Sequence, residues 1–99
     1  MTRNTARMLE DSAILLRRGE PLTAEVDGEV VMFHPTDGTY FALGQVGSRV
    51  WELLASPIPV GDLLARLGRE FDVDESTCRA DVQAFLTELQ EAQLVEARG

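Results

Sequence analysis

Apolar and polar residues alternate along Leu22-Thr23-Ala24-Glu25-Val26, and Glu29-Val30-Val31-Met32-Phe33-His34 reads as the return strand. That period of two is the mark of a half-buried strand. Between the two runs stands Asp27-Gly28, the strongest short hairpin signal, because both residues tolerate the positive φ of a type I′ turn. A second turn, Pro35-Thr36-Asp37-Gly38, leads to a third strand, Thr39-Tyr40-Phe41-Ala42-Leu43. The pattern predicts a three-stranded antiparallel meander with at least one free edge.

The period then changes. Gly44 to Gly47 breaks the strand, with Gly47 permitting a tight strand-to-helix turn. Val50, Trp51, Leu53 and Leu54 have helical spacing and predict a helix over Ser48 to Ala55. Ser56-Pro57-Ile58-Pro59 ends it, since proline cannot continue a helix. A second helix, Val60 to Phe71, carries Val60, Leu63, Leu64, Leu67 and Phe71 on one stripe. A third, Glu75 to Ala92, has the clearest start. Asp74 is a good N-cap, Glu75 suits the positive end of the helix dipole, and Val73 and Cys78 occupy the two positions of a hydrophobic staple. Its stripe is Cys78, Val82, Phe85, Leu86 and Leu89. Leu94-Val95 predicts a short extended tail packing back on the domain.

The expected fold class is α+β: a small winged helix-turn-helix, three antiparallel strands followed by three helices. Residues 1–19 are expected to be a flexible N-terminal segment and residues 20–99 the domain. Within the first segment about ten residues read as disordered, and Ile14-Leu15-Leu16 either dock on the domain or begin a strand.

A winged helix commonly serves nucleic acid, and here charge argues against that. The formal net charge is −8, and all nine cationic residues are Arg. Such a balance repels phosphate backbones and anionic membranes, and favours a basic peptide or protein patch. The exposed face of the third helix sets Arg79 and Gln83 against Asp81, Glu88 and Glu91, and the second helix sets Arg66 and Arg69 against Asp62 and Glu70. Neither is a basic stripe of the kind that meets base edges and phosphates. No apolar run approaches the roughly 20 residues that span a bilayer, and Ala13-Ile14-Leu15-Leu16 is too short for a signal-peptide core. A cytoplasmic location is expected, with no nucleic-acid or membrane partner.

The residues for catalysis are scarce. There is one His, one Cys and no Lys. His34 reads as a strand-end residue and Cys78 as core; two lone candidates do not make a zinc site. Capping accounts for Asp72, Asp74 and Glu75, which lack the ligand spacing and central glycine of a calcium loop. Gly44 and Gly47 lack the dinucleotide fingerprint and its parallel βαβ setting. Neither enzyme activity, nor a metal, nor a cofactor is expected.

What remains is surface shape. The third strand is an edge or close to one, and it is expected to run beside the third helix. An open edge is a pairing hazard unless it is used. An extended peptide adds to such an edge by main-chain hydrogen bonds and lays alternate side chains into the neighbouring groove. Leu43 and Leu86 read as plain core; Tyr40 and Phe41 suit both core and docking.

The run Gly38-Thr39-Tyr40-Phe41-Ala42-Leu43-Gly44-Gln45-Val46-Gly47-Ser48-Arg49-Val50-Trp51-Glu52-Leu53-Leu54 resembles the core of the PqqD family. That family often reads tyrosine, two residues, leucine-asparagine, two residues, glycine, then an apolar helix with tryptophan and leucines. Leu67 to Val95 is also similar, through Asp81-Val82, Phe85-Leu86 and Leu94-Val95, so the resemblance covers roughly residues 20–96. Gly44 stands where asparagine is frequent and Val46 where threonine is frequent. The resemblance implies a non-catalytic winged-helix module that binds the leader of a ribosomally made precursor peptide, as in pyrroloquinoline quinone and lasso-peptide pathways. The leader would add beside the third strand, against the third helix, and pass to a modifying enzyme such as a leader peptidase or radical SAM enzyme. Carried over by position, the contacts are Thr39, Tyr40, Phe41 and Ala42 on the strand and Arg79, Val82, Gln83, Phe85 and Leu86 on the helix. The other readings are a winged-helix interaction or regulatory module without a leader ligand and, disfavoured by charge, a DNA-binding regulator. A thin core and a free edge allow a homodimer without requiring one.

Overall fold

The computed structural model describes residues 9–34 and 38–98, and of His34 and Thr39 the backbone alone. In chain order the elements are β1 (Ile14–Arg17), β2 (Leu22–Val26), β3 (Glu29–His34), β4 (Thr39–Ala42), α1 (Gly44–Leu53), β5 (Ile58–Pro59), α2 (Val60–Glu70), α3 (Glu75–Glu91) and β6 (Val95–Arg98). The fold is α+β, with three helices and two three-stranded antiparallel sheets.

The meander forms as expected, although β2 is exposed at every position and so does not bury one face as its alternation predicts. Its order is β2-β3-β4, with Leu22 opposite Phe33 and Met32 opposite Phe41. Asp27 and Gly28 both take positive φ, 54° and 81°, which makes the turn type I′.

The second sheet, β5-β1-β6, was not expected as a sheet. Two separate pieces of chain build it around Ile14–Arg17. Leu15 is fully buried and faces Ile58 on one side and Ala97 on the other. Of the two options for Ile14-Leu15-Leu16, the strand is the one realised. Within the segment expected to be flexible, Leu9, Ala13 and Leu15 all join the core cluster. Its first eight residues lie outside the described part. The extended tail expected at Leu94-Val95 is realised from Val95, where β6 begins, with Leu94 in the turn before it.

The helix α1 begins a full turn earlier than its apolar spacing predicts. Gly44, at φ +72°, makes the reversal out of β4 in a single residue, a conformation that costs glycine nothing. Gly47 is thereby inside the helix, and its role is packing. The Ser48 hydroxyl donates to the Gly44 carbonyl and accepts from the Val30 amide at 2.7 Å. These bonds satisfy a buried hydroxyl and clamp α1 to β3. Across the other side of α1, Arg49 holds Glu70 of α2 through both carboxylate oxygens, at 2.7 and 2.9 Å. At the start of α3 the Asp74 carboxylate accepts from the Thr77 amide at 3.2 Å. The core closes over Val50, Leu54, Leu63, Leu67, Leu86, Leu89 and Leu94, which come from all three helices, the C-cap of α1 and the turn before β6.

Candidate functional site

Strand β4 pairs with β3 on one side only. Its second edge has no strand partner among the described residues, so a row of main-chain donors and acceptors is available there. Alternation along β4 splits its side chains between two faces. Phe41 lies opposite buried Met32 and packs on the core. Tyr40 lies opposite Phe33, which lies opposite Leu22, and the three form an exposed apolar row on the outer face, with Tyr40 64% accessible.

Beyond the end of β4, α1 and α3 leave a groove of about 150 Å³ between them. Leu43, Val46, Gly47 and Val50 line it from one side, and Asp81, Val82 and Phe85 from the other. The Phe85 ring is held close to α1, since a Cβ on Gly47 would lie 3.3 Å from its Cζ. The groove needs a glycine at that position to keep this width.

The nine residues expected to bind peptide fall into separate groups. Val82 and Phe85 line the groove, Tyr40 and Ala42 are exposed on the meander, and Phe41 is half-buried beneath it. The Thr39 side chain lies outside the described part. Leu86 is fully buried core. Arg79 and Gln83, four residues apart on another ridge of α3, are engaged by the N-terminal segment. Arg79 holds the Asp11 carboxylate at 2.8 and 3.3 Å, and the Gln83 amide exchanges two hydrogen bonds with the Leu9 backbone. The ion pair lowers the Asp11 pKa and raises that of Arg79.

Sequence reasoning missed Leu43, Val46, Gly47 and Val50 as lining. The signal was present: Leu43 and Gly47, and Val46 and Val50, are four apart, and starting the helix at Gly44 puts both pairs on adjoining ridges.

Chemistry is sparse throughout. The Cys78 thiol is pushed up by burial and then by the Asp81 charge, the opposite of what activates a nucleophile. It borders a second cleft of about 380 Å³ crossed by the Asp11–Arg79 pair. Among the described residues no group of three or more His, Cys, Asp or Glu is placed to hold a metal ion, and no helix is long and apolar enough to cross a membrane.

Fold and site together define a small α+β domain with an open strand edge leading to an apolar groove. Residues 29–95 match the family described as "Coenzyme PQQ synthesis protein D (PqqD)". More than half of the chain is matched, and the chain belongs to that family. A solved structure described as "TbiB1 in Complex with the TbiA(beta) Leader Peptide" is similar at 33% identity and a TM-score of 0.68, covering 82% of this chain and 95% of that one. No curated protein matches.

Proposed function

We propose that this chain is a non-catalytic recognition module that binds the leader region of a ribosomally synthesised precursor peptide and delivers it to a modifying or processing enzyme. The leader adds as a fourth strand along the free edge of β4, and its apolar side chains seat between α1 and α3. Each main-chain hydrogen bond of such a strand contributes roughly 1 kcal/mol net, and the groove supplies side-chain selection. The meander followed by three helices supports a winged-helix reading of the fold, and the acidic surface supports a cytoplasmic peptide ligand over nucleic acid.

The observation that carries this reading is the open β4 edge leading into an apolar groove, in a chain 33% identical to a protein solved with a leader peptide. Within the set first expected to bind, the proposed contacts are the β4 backbone from Thr39 to Ala42, the side chains of Tyr40 and Phe41, and Val82 and Phe85. A homodimer paired through β4 would use the same main-chain groups and so would compete with the leader. The exposed Leu22–Phe33–Tyr40 row favours a protein contact as well, which suits either the receiving enzyme, such as a leader peptidase or radical SAM enzyme, or an interaction module with no leader ligand.

Titration with a fluorescent leader from a candidate precursor gene near this one, against a scrambled leader, separates these two. Nanomolar to low-micromolar binding that the scramble lacks is expected, with Tyr40→Ala and Phe85→Ala each weakening it. Folded variants that bind as tightly as the parent would sink the site.

A further inference from the structure

The groove beyond β4 is apolar with one acid at its α3 side, and a second acid lies one turn past Phe85 on that helix. Six of its seven lining residues are apolar, and the seventh is Asp81. On α3, Asp81, Phe85 and Glu88 are spaced i, i+4 and i+7, which sets two carboxylates beside the Phe85 ring on one ridge. Both acids are exposed. The ion pairs among the described residues use Asp11, Glu52, Glu70 and Glu96, and neither Asp81 nor Glu88. The cations on the two helices that flank the groove are committed elsewhere: Arg79 of α3 to Asp11, and Arg49 of α1 to Glu70 and Glu52. The β4 side, Thr39 to Ala42, contributes no charge.

We infer that the peptide strand this groove accepts is locally basic, with Arg or Lys on both sides of an apolar anchor, and that Asp81 and Glu88 receive those cations. The inference rests on the leader-binding reading and names the chemistry of that ligand. Seven helical residues span about 10 Å, and strand residues four apart span about 13 Å. Side chains at i, i+2 and i+4 share one face of a strand. An anchor at i+2 therefore reaches the groove while flexible cations at i and i+4 reach the two acids. An acidic or neutral leader with the same anchor binds less well, which makes the two acids a discriminator between precursors.

The test is fluorescence anisotropy with a leader peptide that binds the parent in the titration above, against the parent protein, Asp81→Asn, Glu88→Gln and the double variant, at low and high salt. Exposed pairs are weak, so each neutralisation is expected to weaken binding about two- to five-fold. The double variant is expected to lose most of the salt dependence. Replacing the leader's flanking Arg or Lys by Gln is expected to weaken binding to the parent and leave binding to the double variant unchanged. Unchanged affinity and salt dependence in the double variant, with Phe85→Ala still weakening binding, would overturn the basic-ligand inference and leave leader binding standing. No binding of any candidate leader to the parent in that titration would overturn both.

Discussion

The side-chain amide of Gln83 and the backbone of Leu9 exchange two hydrogen bonds: the Leu9 amide donates to Oε1 at 2.9 Å and Nε2 donates to the Leu9 carbonyl at 3.0 Å. Gln83 is 7% accessible. It thus acts as a piece of strand presented by a helix, holding a segment 74 residues away in sequence.

Gln83→Ala leaves a partly buried main-chain donor and acceptor unmatched. The expected loss is about 1–3 kcal/mol of stability, read by urea unfolding. Hydrogen exchange is expected to show faster exchange at the Leu9 amide, while leader affinity changes little because Gln83 faces away from the groove.

The Asp11–Arg79 pair closes the same segment over α3. The folded-state pKa of Asp11 lies below its ordinary value of 3.8, chiefly through its hydrogen bonds to Arg79. A depressed carboxylate pKa contributes stability above the unfolded value, and that contribution is lost as pH falls through the folded one. Above about pH 5 the segment is expected to hold. Below pH 3.8 the protection factors of its amides, which correct for the intrinsic pH dependence of exchange, are expected to fall, a change absent in Asp11→Asn.

Leu15 is the pivot of the second sheet. Leu15→Ala is expected to cost about 2–5 kcal/mol, measured by chemical denaturation. A chain begun at residue 20 lacks β1, leaving β5 and β6 unpaired, and is expected to lose its cooperative transition in circular dichroism.

Gly47→Ala separates stability from binding. Alanine gains up to about 1 kcal/mol of helix propensity, but its Cβ would meet the Leu43 Cβ at 3.2 Å and the Phe85 ring at 3.3 Å. The net change in melting temperature is expected to be small. Leader affinity is expected to fall several-fold as Phe85 shifts in the groove, which calorimetric titration reads directly.

The groove was half legible in the residues. Val82 and Phe85 announce themselves by lying on the apolar stripe of α3. Arg79 and Gln83, by contrast, look like exposed polar contacts until Leu9 and Asp11 are found against them. Their partners are more than sixty residues distant, and no local pattern encodes that meeting.

Local physics governs most of the elements. Strand-forming runs bounded by turn residues placed β2, β3 and β4, the positive-φ pair Asp27-Gly28 closed the β2-β3 hairpin, and helical spacing with the Asp74 cap placed α2 and α3. These interactions span only a few residues, so composition and period suffice to read them. The pairing of Ile14–Arg17, Ile58–Pro59 and Val95–Arg98 into one sheet was decided by the tertiary structure alone. Each piece is too short to carry a periodic signal, and a strand of two or four residues exists only where distant chain supplies its hydrogen bonds. The same holds for Gly44 and Gly47. Which glycine turns the chain and which lies under Phe85 depends on where α3 packs, and that is set by the whole core.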